Sequence, residues 1–439
     1  MPDVKFMTLD PGHFHAALVH KKMTPGVDRR VAIYAPLGPD LVGHLNRLIG
    51  FNTRKDDPTA WEAEVRAVPA GVDPLARLLE ERPGNVVMLS GRNDVKIDRI
   101  KAAVEAGLNV LSDKPWVIEA ENLPKLESAL ATAQAKGLVA FDMMTERYEV
   151  TSQLLRELAA DPEVFGRIVP GDEKTPGLTM TSTHYLMKLV AGVPNRRPAW
   201  YFDTRVQGEG LSDVGTHLVD LSFWTLFPET PIAVSDITLH TAERRPTKVS
   251  RADFAKVTGE ADFPASVAGS VRDGVLDYYC NTYVDYSVRG VRVRVAALWD
   301  FEQPVNEGDT AEYAYNGTLA RLEMRQSKAT GFKPEIFIIP HAGPKAAAVL
   351  DAAAKRIAAV QSRYPGVALS TKPAAAGGTE AHVAIPDKYR VGHEAHFASV
   401  VEAFLGYLKN PASMPAWERP NMIAKYFVTT GGVKLSRGR

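Results

Sequence analysis

Two residues four apart, Asp213 and His217, could carry acid–base chemistry. On a helix that spacing puts both side chains on one face. A histidine with an ordinary pKa near 6.5 can accept an alcohol proton at neutral pH. Asp213 could accept from a second hydroxyl or orient the imidazole. About a hundred residues earlier, Asp113-Lys114-Pro115 follows a short apolar run. A lysine in a cleft can hydrogen-bond a substrate oxygen and hold charge near it. Proton removal from a secondary alcohol, coupled to hydride loss from its carbon, is the chemistry a nicotinamide cofactor needs.

A turn near the N-terminus has the place of a dinucleotide-binding loop. The first strand runs into Asp10-Pro11-Gly12-His13-Phe14-His15. Against the Gly-x-Gly-x-x-Gly pattern, Asp10, Gly12 and His15 take the three glycine positions. The surviving Gly12 is the one that lets a pyrophosphate approach the backbone. The second strand, Val31–Tyr34, is followed by Ala35-Pro36-Leu37-Gly38-Pro39, with neither a carboxylate for the ribose nor an arginine for a 2′-phosphate. NAD and NADP both stay open, with NAD the favoured of the two. His13, His15 and His20 cluster here, yet a spacing of two is poor for a shared helix face, so no metal site is expected. His393 and His396 miss the His-Glu-x-x-His spacing by one residue.

The elements that must position these residues change character along the chain. Residues 1–149 alternate strands (Val4–Leu9, Arg30–Ala35, Asn85–Ser90, Asn109–Ser112, Leu138–Asp142) with helices (His15–Met23, Asp73–Glu81, Val95–Ala106, Leu123–Lys136). That order predicts βαβ units and a parallel Rossmann-like α/β sheet. Residues 150–439 read as an α+β domain with a mostly antiparallel open sheet. Its predicted parts are a helix at Val150–Ala160, a strand near Gly166–Val169, a long loop, and a helix near Ser212–Phe227. Long alternating strands at Val275–Val288 and Val291–Phe301 are joined by Arg289-Gly290, a hairpin signal. Residues 343–390 read as an insertion with one helix and two strands, Val367–Thr371 and Ala381–Ile385, before a last helix at Glu394–Lys409.

Gly107 to Pro115 resembles the strand and Glu/Asp-Lys-Pro motif of the Gfo/Idh/MocA oxidoreductases. Gly208-Glu209-Gly210-Leu211-Ser212-Asp213 to Asp220, preceded by Arg197-Pro198-Ala199-Trp200, resembles that family's glycine-rich loop and Asp-x-x-x-His helix. The resemblance covers residues 1 to about 330 and the last helix. It implies a dinucleotide bound around Asp10, Pro11, Gly12, His13, Phe14 and His15. It extends that contact to Ser90, Gly91 and Asn93, and to Asp113, Lys114 and Pro115. Lys96 stands where the family usually has a histidine, and a plain capped helix start competes with the cofactor role of Ser90 and Asn93. The implied catalytic set is Lys114, Asp213 and His217. His184, Tyr185 and Trp200 join these three as substrate contacts, with His184, Tyr185 and Lys188 read as part of the long loop. The reaction implied is hydride transfer at a secondary alcohol of a sugar, polyol or sugar derivative. Two alternatives share the fold: an NAD-dependent glycoside hydrolase working by transient oxidation and elimination, and a non-catalytic sugar- or dinucleotide-binding protein.

Composition narrows the partners. The 439 residues carry 52 Lys plus Arg and 52 Asp plus Glu, a formal net charge of zero. That argues against a whole-chain grip on nucleic acid and suits a small, largely neutral polyhydroxy substrate. Hydrophobic residues make up 45%, enough for sizeable cores rather than a disordered chain. The lone Cys280 excludes an intramolecular disulfide. With no run of about 18 apolar residues and no signal-like opening, a cytoplasmic protein away from membranes is expected, with an exported mature form as the alternative. The strand Val275–Val288 puts Asp277, Tyr279, Asn281, Tyr283 and Asp285 on one face, which suits a homo-oligomer contact through the open sheet.

Overall fold

The structure, a computed structural model, describes residues 4–190, 193–373 and 378–438. They form two compact units. The first comprises residues 1–145, 205–208 and 392–426, and the second comprises 146–204, 209–391 and 427–439. The expected boundary at 149/150 lies close to the first switch, and residues 392–426 rejoin the first unit.

The first unit is built on a six-stranded parallel sheet. Its elements are β1 (Phe6–Leu9), α1 (His15–Leu18), β2 (Arg30–Pro36), α2 (Pro39–Thr53), β3 (Glu62–Val68), α3 (Leu75–Glu81), β4 (Val86–Leu89), α4 (Lys96–Glu105), β5 (Asn109–Ser112), α5 (Leu123–Ala135) and β6 (Ala140–Asp142). The strand order β3-β2-β1-β4-β5-β6 reverses between β1 and β4. In such a sheet the crevice at the carboxyl ends of those strands is where ligands bind. Fully buried β1 and β4 fit a sheet covered on both faces. The α4 stripe Ile97, Ile100, Ala103 and Val104 and the α5 stripe Leu126, Ala129, Leu130 and Ala133 share one core with Met7, Val87 and Trp116.

The Rossmann-like reading stands, with local corrections. The helix expected over His15–Met23 stops at Leu18, because the next amides turn back in tighter bonds, His20 N to Ala17 O and Lys21 N to Leu18 O. The sequence reading did not place α2 and β3.

The second unit begins with α6 (Val150–Ala159), β7 (Leu178–Met187) and the two-residue pair β8 (Leu189–Val190) and β9 (Val193–Pro194). Next come α8 (Val214–Leu226), β10 (Ile237–Val249), α9 (Arg251–Thr258), β11 (Val271–Arg272), β12 (Val275–Val288) and β13 (Val291–Glu302). The short α7 (Thr204–Gln207), before α8 in the chain, belongs almost wholly to the first unit. β14 (Thr310–Asn316), β15 (Ala320–Gln326), β16 (Glu335–Pro340), α10 (Ala346–Ala359), β17 (Ala368–Pro373) and β18 (Thr379–Ala384) complete the sheet. The sheet order is β10-β12-β13-β7-β14-β15-β16-β18-β17. Every pairing along that path is antiparallel except β13 with β7.

Arg289 and Gly290 make the predicted two-residue hairpin turn, both at positive φ. The two strands expected in the 343–390 insertion pair with each other, Thr371 opposite Ala381. The middle of the loop between them, 374–377, lies outside the described residues. The strand expected near Gly166–Val169 reduces to an isolated bridge, Ile168 to Gly317. The long loop expected after it contains β7, which lies inside the sheet. The chain also continues beyond α11 (His393–Lys409) into α12 (Glu418–Ser436). Among the described residues no helix is long and apolar enough to cross a membrane.

Candidate functional site

The candidate residues fall into two groups, one in each unit. In the first unit they converge at the carboxyl ends of β1, β4 and β5. Asp10 stands at the first glycine position with φ 47°, a left-handed conformation that a glycine would adopt freely. Its buried carboxylate accepts from Arg99 (Nη1, 2.8 Å) and Arg92 (Nη1, 3.2 Å). Arg92 continues to Asp40 at 3.0 Å. Gly91 must be a glycine here, since a Cβ would lie 2.3 Å from the Asp10 carbonyl oxygen. The turn's amides are already engaged: Gly12 N–H donates to Asp10 O and His13 N–H to Ser90 O. With α1 only four residues long, the turn offers side chains more than a helix N-terminus.

Those side chains meet at Asp113. Its Oδ2 lies 3.1 Å from His13 Nδ1 and 3.0 Å from His15 Nδ1, and it accepts from Ser90 Oγ at 2.9 Å. Burial by itself raises the Asp113 carboxyl; His15 and His13 outweigh it and hold the group well below the usual range. The helix-face argument against pairing His13 with His15 does not apply, because His13 sits in the turn before α1. Phe397 of α11 packs on His15 with ring centroids 4.6 Å apart.

Lys96, fully buried, donates from Nζ to the Asp113 carbonyl at 3.0 Å. Trp116 Nε1 donates to Ser112 O at 3.1 Å. These bonds fix the turn that carries Lys114, itself buried, ahead of the cis Lys114–Pro115 peptide. Asn93 donates to Gln207 O at 2.7 Å, and its amide donates to Val206 O. It fastens the 205–208 segment. Lys96, Arg99 and Asp142 were not singled out from sequence as site or support residues. Asp142, at the end of β6, accepts from Tyr426 Oη (2.8 Å) and pairs with the buried Lys425 (2.9 Å). Only the lysine in a helix's apolar register hinted at this.

In the second unit Asp213 and His217 lie one turn apart at the start of α8, both buried. The glycine-rich loop before them is pressed onto β12. A Cβ on Gly210 would meet the Cys280 carbonyl oxygen at 1.8 Å. Glu209 clamps that loop by accepting from Arg244 (2.7 Å) and Arg437 (2.9 Å). Tyr201 Oη donates to Asp213 Oδ2 at 2.9 Å, and burial beside that carboxylate pushes the phenol well above its usual pKa.

From Tyr201 a continuous wall follows. The Arg197 guanidinium stacks over Tyr201 (4.5 Å) and Trp299 (5.1 Å). The Trp299 ring is 5.1 Å from that of His184. His184 holds Ser182 Oγ at 2.7 Å and Asp309 Oδ2 at 3.0 Å. Burial opposes ionisation of Asp309, but His184 and Lys188 hold its carboxyl at about 2. His184 and Tyr185 therefore stand on a strand, where alternation sends Tyr185 to the opposite face. Trp200 is half-buried beside this core. Trp299 escaped the sequence reading because it sits inside a long strand, Val291–Glu302, where a buried aromatic reads as ordinary sheet packing.

Comparison with known proteins places the chain. The family described as "Putative oxidoreductase C terminal domain" matches residues 154–437. A "putative oxidoreductase" from Parabacteroides merdae is 42% identical, covering 100% of this chain and 98% of that one, with a TM-score of 0.95. KijD10, a 3-ketoreductase from Actinomadura kijaniata solved with NADP and TDP-benzene, is 16% identical over 99% of this chain and 97% of its own, TM-score 0.56. GenD2 from gentamicin A biosynthesis, solved with NAD, is 14% identical over 100% and 95%, TM-score 0.56. These last two share the fold. Among curated proteins nothing matches. The family match and the Parabacteroides relative together assign the chain to this oxidoreductase family.

Proposed function

We propose that the protein is an NAD(P)-dependent oxidoreductase acting on a secondary alcohol, or the matching ketone, of a sugar, polyol or sugar derivative. The observation that carries this reading is the Asp113-Lys114-Pro115 turn. It follows β5 at the strand ends where such sheets bind dinucleotides, with its lysine buried and braced by Lys96. The two fold neighbours solved with NADP and NAD are in keeping with it. The residues present fit a dinucleotide with an adaptation. Gly12 leaves room at the backbone, while His13, His15 and Arg92 supply polar contacts in place of free amides.

When bound, the nicotinamide supplies the hydride acceptor or donor. Lys114 Nζ hydrogen-bonds the reacting oxygen and stabilises charge on it. His217 takes the hydroxyl proton, or returns it in the reductive direction. Asp213, kept in place by Tyr201, accepts from a neighbouring substrate hydroxyl. The part-exposed His184, with buried Trp299 packed behind it, offers a polar edge for the rest of the sugar.

A second reading, glycoside hydrolysis by transient oxidation and elimination, is favoured by one observation. His184, held on Asp309, is an additional acid–base group beside the wall. The half-exposed strand face carrying Asp277, Tyr279, Asn281 and Tyr283 is our candidate for a contact between copies of the chain.

Nicotinamide absorbance with a panel of keto-sugars, polyols and glycosides tests both readings. Net NAD(P)H change supports the oxidoreductase, and glycoside cleavage without net change supports the hydrolase. Full turnover in His217→Ala would remove His217 from the mechanism.

A further inference from the structure

The His13–Asp113–His15 cluster does more than shape a turn. We propose that it is a binding site for one divalent transition-metal ion of the zinc class, held by His13 Nδ1, His15 Nδ1 and Asp113 Oδ2. These three atoms lie within 4.8 Å of one another. They come from the turn after β1, the first residue of α1 and the turn after β5, at the carboxyl ends of those strands. Two imidazoles and one carboxylate form the donor set of catalytic zinc and of non-haem iron sites, in which a further position is left to water or a ligand oxygen.

The spacing agrees. Metal–ligand bonds of about 2.0–2.1 Å in tetrahedral geometry put neighbouring donor atoms about 3.3 Å apart. The two Nδ1 atoms lie 3.1 and 3.0 Å from Asp113 Oδ2. A small outward shift of each ring admits the ion. The outer contacts such a site needs are also in place. Ser90 Oγ donates to the ligating carboxylate, and Phe397 packs the His15 ring at 4.6 Å. His13 is the more exposed of the two rings. Nitrogen-rich ligation favours zinc, iron or cobalt over magnesium or calcium.

The site shares His13 and His15 with the proposed nucleotide contacts, but metal uptake and nucleotide binding separate experimentally. Untagged, nucleotide-stripped protein is made metal-free and titrated with Zn²⁺ by calorimetry and with Co²⁺ by visible absorption. The expected result is one equivalent of either ion and a cobalt d–d spectrum of nitrogen–oxygen ligation. His13→Ala and Asp113→Asn should each weaken binding more than ten-fold. His13→Ala keeps the test usable if the buried Asp113 variant fails to fold, as circular dichroism would show. Uptake well below one equivalent, or equal uptake by His13→Ala, overturns the proposal and leaves two N–H···O hydrogen bonds only. NADH and NADPH are titrated in parallel. Metal uptake without nucleotide binding leaves this proposal standing and removes the dinucleotide reading; the reverse result does the opposite.

Discussion

The turn after β1 and the start of α8 solve the same problem, holding polar groups ready for a ligand, in opposite ways. At α8 the backbone does the positioning. Gly210 lets the loop touch the Cys280 carbonyl, and Asp213 and His217 follow at helical spacing, with Tyr201 bracing Asp213. After β1, two of the three usual glycine positions carry side chains, Asp10 and His15. Each is tied down by partners far away in sequence: Arg99 and Arg92 for Asp10, Asp113 for His15. The α8 arrangement is local and reads as a motif. The β1 arrangement is a buried ionic network whose logic is visible only in three dimensions.

Four experiments can break or sharpen that contrast. The largest effect is expected at α8, where His217→Ala should lower kcat by about 10²–10⁴ with nucleotide affinity unchanged, measured by steady-state kinetics and calorimetry. Loss of nucleotide affinity instead would make His217 a binding group.

Next, Arg99→Leu leaves the buried Asp10 carboxylate short of a partner. Removing one member of a buried pair should cost about 3 kcal/mol in urea unfolding. A loss under about 1 kcal/mol would show that Arg92 alone suffices and that the network is looser than described.

Third, Tyr201→Phe removes one hydrogen bond to a buried carboxylate. It should cost about 1.5 kcal/mol, read as roughly a ten-fold fall in kcat/KM with a smaller change in stability. Unchanged kcat/KM would mean that Asp213 does not need Tyr201 for its position.

The last test is a pH slope in the first unit, absent at neutral pH. His20 and His44 are buried with ring centroids 6.4 Å apart, and their four ring nitrogens lack hydrogen-bond partners. Burial lowers their pKa values to about 3 and about 4, from 6.5. Between about pH 6.5 and pH 4 the unfolded chain binds more protons than the folded one. Stability is therefore full above about pH 6.5 and falls as pH drops, by at most about 1.4 kcal/mol per pH unit for each histidine. His20→Leu should flatten the pH dependence of Tm below 6.5, whereas an unchanged slope would assign the acid sensitivity to other groups.

Much of the architecture was legible because it obeys period. The β1–α–β order, the α4 and α5 stripes, the Arg289-Gly290 hairpin and the paired strands of the 343–390 segment all follow apolar spacing. The missed elements lack that signal. β3 is an edge strand reading Glu-Ala-Glu-Val-Arg-Ala-Val, largely exposed. α2 buries only Leu41, His44 and Leu48. β7 alternates Thr and Ser between its apolar residues and is buried by its neighbours in the sheet. α12 hides Lys425, Thr429 and Thr430 where a sequence reader expects apolar side chains. At the site, Lys114, Asp213 and His217 were found through their motifs. The supports Arg99, Tyr201 and Asp309 were not, because a long-range hydrogen bond leaves no local pattern, and Lys96 was noted only as a departure from the family's histidine.

The central claim, that the crevice beside β1, β4 and β5 serves a nicotinamide dinucleotide, is tested most directly by its nucleotide content and affinity. The purified protein is denatured, any released nucleotide is identified by mass, and stripped, refolded protein is titrated with NADH and NADPH. The account predicts either co-purifying NAD(H) or NADP(H), or saturable binding of one equivalent per chain that Asp10→Ala weakens. Protein that releases no nucleotide and binds neither NADH nor NADPH while folded would contradict it.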